Sequence, residues 1–359
     1  MHMRLCVPYL KINSMSLNIP LLKQLSETPG APGFEEKIRE LIIHEISAYV
    51  DSISVDNMGN IHAYRKGTSP KKVMIAAHMD EIGFIVTHVD EHGFLKFAPL
   101  GGFDPKTLTA QRVIVHGKTD VIGVMGSKPI HVMSPEEREK KIKLTDFFID
   151  LGRSKEEVDS LIEIGNPITR ERELIEMGDC VNGKSLDNRI SVFVLIEAIK
   201  QLHKKTLPFD TYAVFTTQEE VGLRGAQVAT IQIQPDIAIA IDTTIAFDLP
   251  GSTPSEQVTK LGLGPAIKIM DASVVTHQGL VKHLKQVAEK SNIPWQPEIL
   301  QAGGTDTAML QKMVSGGAIA GAISIPTRHL HQVIESANKQ DVAHAIEFVA
   351  RTLETLDTF

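Results

Sequence analysis

The sequence predicts an α/β protein that carries an inserted antiparallel β unit, and three features of the chain support this. Short apolar runs typical of buried strands alternate with segments in which apolar residues recur at helical spacing. Between residues 83 and 177 the pattern changes to short alternating stretches with glycine turns, such as IGFIVTHV and VIGVMG. The length of 359 residues is enough for two domains.

The elements follow in chain order. Residues 1–16 show no periodicity, so we expect an extension that lies outside the fold. Residues 52–65 are expected to form a hairpin that turns at DNMGN. Predicted helices cover residues 19–27, 33–50, 192–202, 279–291 and 340–356. Predicted strands cover residues 72–77, 212–216, 237–241 and 322–326.

The second half of the inserted unit, residues 134–177, is highly charged, which indicates a solvated or interface-forming segment. His88 and His92 have the spacing of a helical zinc pair, but VDE between them and Gly93 after them favour a hairpin turn.

Composition excludes several classes of protein. The hydrophobic fraction of 42% and the charged fraction of 23% are ordinary for a packed globular chain. A net charge of −7 without a long Lys/Arg cluster argues against nucleic acid as a partner. No apolar stretch approaches the about 18 residues of a spanning helix, so a membrane is not expected as a partner. Two cysteines, Cys6 and Cys180, form no CxxC pattern, and we expect a cytoplasmic protein.

The predicted strands end in residues that bind metals. The run at 212–216 leads to the adjacent pair Glu219 and Glu220, and two more runs lead to His78 with Asp80 and to Asp242. The fourth run leads to two histidines, at positions 329 and 331. Adjacent carboxylates repel each other unless cations, a shared proton or solvent are close, and alone the pair is equally typical of a solvated acidic loop. Because ligands collect at the carboxyl ends of parallel strands, the set predicts a metal site suited to zinc, cobalt or manganese.

Seven motifs in the same order resemble the glutamyl aminopeptidase family, also called the tetrahedral aminopeptidases: AAHMDEIGFIV, APLGGFDPKTL, SLDNR, TTQEEVGLRGA, IDTT, AGGTDTA and IPTRHLH. The resemblance covers the chain from about residue 17 to the end. It implies a catalytic domain with a mixed sheet and helices on both faces, formed by residues 17–84 and 179–359. It also implies an inserted small antiparallel β-barrel that serves dimerisation, residues 85–178.

The resemblance also implies roles for individual residues. Glu219 corresponds to the general base, and Asp80 to the carboxylate that orients the His78 ring. Where the family commonly has an aromatic residue, this chain has His329, so that His331 is chosen as the ligand by spacing. The implied metal ligands are His78, Asp187, Glu220, Asp242 and His331. The implied substrate-lining loop contains Gly303, Gly304, Thr305 and Asp306, although the glycines also suit a turn and Asp306 also suits a helix N-cap.

The function implied by the resemblance is a metal-dependent aminopeptidase that acts on short peptides with two divalent metal ions, zinc or cobalt. The family also implies a homo-oligomer in which dimers build a tetrahedral dodecamer. A deacylase or carboxypeptidase on the same scaffold is the alternative. Such an enzyme would bind a substrate carboxylate through arginine, and three arginines flank candidate ligands in the sequence: Arg189, Arg224 and Arg328. A metal-free glycosidase is a further alternative, because family members have been described as cellulases. A non-catalytic assembly protein is disfavoured by the complete ligand set.

Overall fold

The structure is a computed structural model, and it describes residues 17–359. The predicted extension at residues 1–16 lies outside the described residues. Helices are α1 (Ile19–Glu27), α2 (Glu36–Ile46), α3 (Pro135–Glu139), α4 (Lys155–Leu161), α5 (Leu186–Leu202), α6 (Arg224–Ile233), α7 (Gln278–Lys290), α8 (Thr307–Lys312) and α9 (Lys339–Thr355). In this part of the chain no helix combines the length and the apolar character needed to cross a bilayer.

Strands make up a large sheet and a barrel. In chain order they are β1 (Ser52–Val55), β2 (Ile61–Arg65), β3 (Gly67–His78), β4 (Gly83–Val89), β5 (Leu95–Leu100), β6 (Arg112–His116), β7 (Asp120–Gly126), β8 (Phe148–Asp150), β9 (Pro167–Arg170), β10 (Ile175–Met177), β11 (Cys180–Gly183), β12 (Leu207–Thr216), β13 (Ile237–Ile245), β14 (Ala266–Met270), β15 (Gln296–Ile299), β16 (Ile319–Arg328) and β17 (Glu335–Asn338).

The large sheet has eleven strands and is mixed. Its order is β1-β2-β12-β3-β13-β16-β17-β11-β10, while β14 pairs with β15 and β16. The four central strands β12, β3, β13 and β16 are parallel neighbours. They are the four runs that the sequence predicted to be buried strands, and their parallel pairing brings four carboxyl ends to one edge.

Helices cover both faces of this sheet, as the alternation along β3 shows. Val73, Ile75 and Ala77 face a core formed with α1, α2, α5, α7 and α9. Met74 and Ala76 face the opposite core, which contains residues of α6 and α8. Because side chains alternate along a strand, a central strand with two helical layers must be apolar on both faces, which explains the unbroken apolar run KVMIAA. The predicted α/β class is confirmed.

The inserted unit is a closed barrel with the strand order β4-β5-β8-β7-β6-β9. Its core includes Phe84, Val113 and Ile149, which are buried and belong to three different strands, β4, β6 and β8. The predicted antiparallel barrel is therefore confirmed. Barrel strands begin at Gly83 and end at Arg170, whereas Ile175–Met177 pair with β11 in the large sheet. The limits 85 and 178 expected for the inserted domain differ from these ends by a few residues, and the domain division itself stays a prediction.

Candidate metal centre

The central strands bring the candidate ligands to one edge of the sheet. β3 ends at His78, and Thr216 at the end of β12 is its direct neighbour in the parallel ladder. The Glu219–Glu220 pair follows β12 immediately, Asp242 lies inside β13, and His331 follows the end of β16. His78 and Asp242 are almost fully buried. Because the strands are parallel and adjacent, residues up to 253 positions apart in sequence, from 78 to 331, meet in one place.

Asp187 supplies the centre of this group from α5. Its backbone angles (φ −78°, ψ 106°) are not helical, and the cap position at Ser185 makes no side-chain capping bond. The N-cap role that an Asp in this position suggests is therefore not found. Instead, Asp187 Oδ1 lies 3.2 Å from His78 Nε2, and Oδ2 lies 3.2 Å from His331 Nε2. One carboxylate thus faces two imidazoles.

Two groups of donor atoms surround this carboxylate. Ligand atoms of His78, Asp187 and Glu220 lie within 4.8 Å of one another, and so do those of His78, Glu219 and Asp242. Glu220 Oε2 is also 3.6 Å from His331 Nε2. Carboxylate and imidazole donors at this spacing suit a divalent transition metal. The chain therefore has a donor set of the right chemistry and compactness for divalent metal ions.

The electrostatics of the pocket favour added positive charge. Burial, together with the charge of Asp187, raises the pKa of Glu220 to about 8. Burial, again with the charge of Asp187, raises the pKa of Asp242 to about 8. Burial also raises the pKa of Glu219 well above its ordinary value. Glu220 Oε1 is buried without a hydrogen-bond partner in the described structure. Carboxylates that are costly to ionise in this way are stabilised by cations, so the residues present fit a metal centre.

Burial opposes protonation of the imidazole of His78, but Glu219, Asp187 and Asp80 outweigh it and hold its pKa well above the usual range. Burial likewise opposes protonation of His331, and Asp187 and Glu220 outweigh it and raise its pKa to about 10. Both histidines thus lie in a strongly negative environment.

Asp80 contacts the backbone of the Glu219–Glu220 pair. Its two carboxylate oxygens accept hydrogen bonds from the backbone N–H groups of Glu219 and Glu220, each at 3.1 Å. Asp80 Oδ1 also lies 3.4 Å from His78 Nδ1. The expected position of Asp80 beside the outer nitrogen of His78 is what the structure has. Its bonds to the glutamate backbone were not expected from the sequence.

A second support for the glutamate loop comes from the hairpin between β1 and β2. Asn60 is fully buried; its Oδ1 accepts the Thr217 N–H at 2.9 Å, and its Nδ2 donates to Gly225 O at 3.1 Å. These bonds fasten both ends of the loop that carries Glu219 and Glu220. Sequence reasoning missed Asn60, which appeared only as part of a turn. Its Nδ2 also donates to Asp56 Oδ2 at 2.7 Å, a contact inside DNMGN, and nothing in that motif indicates the bonds to Thr217 and Gly225.

The loop after β16 places its two histidines differently. His331 Nδ1 lies 3.2 Å from Gly102 O, which leaves Nε2 directed at Asp187. His329 lines the neighbouring cavity, but it forms no ion pair in the described structure. The structure thus brings His331 and not His329 into contact with Asp187, and the ligand role of His331 stays a prediction. Gly102 belongs to the APLGGFDP motif, and its role as a carbonyl acceptor could not be derived from the motif.

A cavity of about 710 Å³ opens beside the centre. Gly303, Gly304 and Thr305 line it, as the sequence suggested for the substrate loop. Asp306 does not line it: this carboxylate is buried, and its Oδ2 accepts a hydrogen bond of 2.5 Å from Thr216 Oγ1. Asp306 therefore does not meet the expectation of substrate contact, because it points into the protein. It does not meet that of a helix cap either, since it makes no capping bond to α8.

The rest of the cavity is lined by apolar side chains and one charged pair. Phe247, Leu249 and Leu300 provide apolar surface. Lys268 and Asp271 also line it, and Lys268 Nζ contacts Glu298 Oε1 at 2.5 Å and Asp271 Oδ2 at 3.2 Å. This lysine already has carboxylate partners on the protein side.

The arginines considered for binding a substrate carboxylate have other partners. Arg189 is fully buried and donates to the backbone carbonyls of Met79, Leu25 and Thr28. Arg328 pairs with Asp248 through two hydrogen bonds of 2.7 Å. Arg224 donates to Gln218 Oε1 at 3.2 Å, and none of the three arginines lines the cavity. The deacylase and carboxypeptidase alternative is not favoured.

Comparison with known proteins identifies the family of the chain. Residues 59–348 match the model of the M42 glutamyl aminopeptidase family. The lysyl aminopeptidase of Pyrococcus furiosus is 35% identical over 94% of this chain and 96% of its own. A TET aminopeptidase from a marine sediment archaeon of the Thaumarchaeota superimposes with a TM-score of 0.91 at 36% identity, covering 94% of this chain and 96% of that one.

A third relative is the TET1 peptidase of Pyrococcus horikoshii, which assembles into a tetrahedron or a large octahedral shell. It has a TM-score of 0.84 at 33% identity, covering 93% of this chain and 98% of its own. The match spans nearly the whole length of every protein compared. The chain therefore belongs to the M42 glutamyl aminopeptidase family and is a metal-dependent aminopeptidase.

Proposed function

We propose that the centre holds two divalent cations, zinc or cobalt ions, and removes single residues from the amino end of short peptides. One observation carries this proposal: the two oxygens of Asp187 face two different imidazoles, each at 3.2 Å. A carboxylate in this position is suited to bridge two cations. His78 and Asp242 would complete one site, and Glu220 and His331 the other.

The residues of the chain divide the chemistry between them. Two bound cations would supply an acidic water and polarise the scissile carbonyl. Glu219 is not needed in either ligand set, and its Oε2 lies 3.9 Å from His78 Nε2 at the edge of the cavity. Its carboxylate would take the proton of the attacking water and deliver it to the leaving amine. Asp80 accepts hydrogen bonds from the backbone N–H groups of Glu219 and Glu220, which would keep the base and the metal ligand at a constant distance from each other.

Substrates are proposed to enter the 710 Å³ cavity with the N-terminal side chain first. Gly304 and Thr305 would line the path of the peptide, and the apolar wall formed by Phe247, Leu249 and Leu300 would contact its side chains. Small peptides fit such a space, whereas a folded chain does not.

A panel of aminoacyl anilides with acidic, basic and aliphatic side chains tests this function, with the N-acetylated form of each as matched control. The expected result is release from free-amine substrates, no release from the acetylated set, and loss of activity on chelation. Faster hydrolysis of N-acetyl amino acids would favour a deacylase. Cleavage of cellulose derivatives after exhaustive chelation would favour a glycosidase.

We further propose a homo-oligomer in which barrel contacts form dimers and dimers build a tetrahedral dodecamer. Ile122 and Val124 on the outer face of β7 are 58% and 47% exposed, and Ile130 and Val132, which follow β7 in the chain, are 60% and 64% exposed. Large apolar side chains exposed in this number are typical of protein interfaces. The assembly of the Pyrococcus horikoshii relative supports the same proposal. Solution scattering that shows a monomer at micromolar concentration would refute it, whereas a stable dimer would refute only the dodecamer.

A cytoplasmic location is also proposed, and it rests on the two cysteines without a CxxC pattern.

A further inference from the structure

Glu335 is a fully buried carboxylate that no sequence motif singled out. It is the first residue of β17, four positions after His331. Its Oε2 accepts the backbone N–H of Asp187 at 2.9 Å, and its Oε1 accepts the backbone N–H of His331 at 3.1 Å. One side chain therefore joins two segments that are 144 residues apart in the sequence.

The two residues it joins are also in contact at their side chains, where Asp187 Oδ2 lies 3.2 Å from His331 Nε2. Asp187 has extended backbone angles inside α5 (φ −78°, ψ 106°), whereas His331 has φ 59°, in the left-handed region that non-glycine residues rarely adopt. A left-handed conformation of this kind persists only when surrounding contacts hold it. The two bonds to Glu335 supply such contacts at the backbone of both residues.

A second connection joins the same two segments from the barrel. Arg170, at the end of β9, is buried, and its guanidinium donates to the backbone carbonyl of Gln332 and to Ser185 Oγ at 3.5 Å. Gln332 is adjacent to His331, and Ser185 is two positions before Asp187. Glu335 and Arg170, which have opposite charges, thus both connect the segment of Asp187 to the segment of His331.

The other half of the centre is held in the same manner. Asp80 accepts the N–H groups of Glu219 and Glu220, just as Glu335 accepts those of Asp187 and His331. Two buried carboxylates therefore accept backbone hydrogen bonds from four residues of the centre and hold those residues in place.

We propose that Glu335 is a positioning residue that sets the distance between Asp187 and His331 and thereby the affinity for the cation they share. This rests on the proposed two-cation site. Because Glu335 faces the backbone and not the cavity, it acts on metal affinity and not on the proton transfers of the reaction.

The test is Glu335→Gln, which keeps size but replaces one acceptor oxygen with an NH₂ group that cannot accept a backbone N–H. One of the two bonds is lost. Zinc titration of the metal-free protein, followed by calorimetry and elemental analysis, is expected to show the cation at Asp187, Glu220 and His331 bound about 10–100-fold more weakly, the range typical of residues that orient ligands, and the cation at His78 and Asp242 weakened less. At saturating zinc, kcat is expected to recover to within a few-fold of the wild type.

Asp341→Asn is the matched control. Asp341 is equally buried, and its oxygens accept the N–H groups of Gly262 and Gly264, both at 2.7 Å, away from the cavity lining. The substitution removes the same kind of bond, so we expect lower thermal stability with unchanged affinity for both cations. Glu335→Asp, which keeps the charge but shortens the reach, provides a second variant should Glu335→Gln fail to fold, and it is expected to weaken one cation in the same way.

Two results would separate this proposal from the function on which it rests. A wild-type chain that binds no second cation would refute the two-cation site itself. If the wild type binds two cations and a folded Glu335 variant binds each of them as tightly as the wild type does, only the proposed role of Glu335 is refuted. An equal loss of affinity in Asp341→Asn would also refute it, because the effect would then reflect general destabilisation.

Discussion

Glu219→Gln and Glu220→Gln are the same chemical change at adjacent positions, and the proposed roles predict different losses. Both side chains are inside the centre, with Glu219 Oε2 3.9 Å from His78 Nε2 and Glu220 Oε2 3.6 Å from His331 Nε2. Asp80 holds both backbones, so neither change is expected to move the loop. Each variant is therefore the control for the other.

Removing a general base costs roughly 10²–10⁴-fold in rate, or about 2.7–5.5 kcal/mol of barrier. Glu219→Gln should lose this amount in kcat while both cations stay bound. Structural zinc sites with four protein ligands bind with roughly 10–16 kcal/mol, so one ligand there contributes about 3 kcal/mol, or roughly 10²-fold in affinity, and we take this value for Glu220. Glu220→Gln should lose that affinity and regain part of its activity in excess metal.

The assay is single-turnover hydrolysis of one aminoacyl anilide beside metal content by elemental analysis. Donor atoms of Glu219 also group with His78 and Asp242, so a ligand role is the competing explanation. Loss of metal from Glu219→Gln equal to that from Glu220→Gln would refute the division of roles. Full activity in either variant would show that the pair is an ordinary acidic loop.

Three further predictions concern the glutamate loop, the barrel surface and one ion pair. Asn60→Ala removes the bonds to both ends of the glutamate loop, so urea unfolding should show a loss of about 1–3 kcal/mol, with a fall in kcat; an unchanged midpoint would contradict this. Ile122→Glu places a charge on the exposed outer face of the barrel and should lower the molecular mass measured by scattering towards that of the monomer while each chain stays folded. Burial opposes ionisation of Asp248, but the hydrogen bonds from Arg328 and from the Leu261 N–H outweigh it and lower the pKa of Asp248. The pair therefore stabilises the fold above the unfolded pKa near 3.8 and loses its effect as pH falls through the lower folded value. Asp248→Asn should therefore cost about 0.2–1 kcal/mol at pH 7, and a loss that is equal at pH 7 and pH 2 would contradict the pairing.

The sequence was sufficient for those parts of the site that depend on local pattern. Unbroken apolar runs identify central strands, and a His, Asp or Glu after such a run lies at the sheet edge where ligands bind. His78, Glu219, Glu220 and Asp242 follow from this rule. The choice of Asp187 and His331 needed the family resemblance, because a helix start and a loop histidine have many ordinary explanations.

The supports of the site could not be predicted in this way. Asn60 and Glu335 bond to backbone groups 157 and 148 positions away, and such bonds leave no periodic trace in the chain. Asp306 shows the opposite error. It follows two glycines and a threonine that line the cavity, yet its carboxylate accepts a hydrogen bond from Thr216 inside the protein, a contact between residues 90 positions apart.

The most direct test of the two-cation centre is the recovery of activity in the chelated protein against added zinc or cobalt, with bound metal measured at each step. We predict no activity without metal, and activity that reaches its maximum when two ions are bound per chain. Full activity after complete chelation, or a maximum at one bound ion with no second ion taken up, would contradict the account.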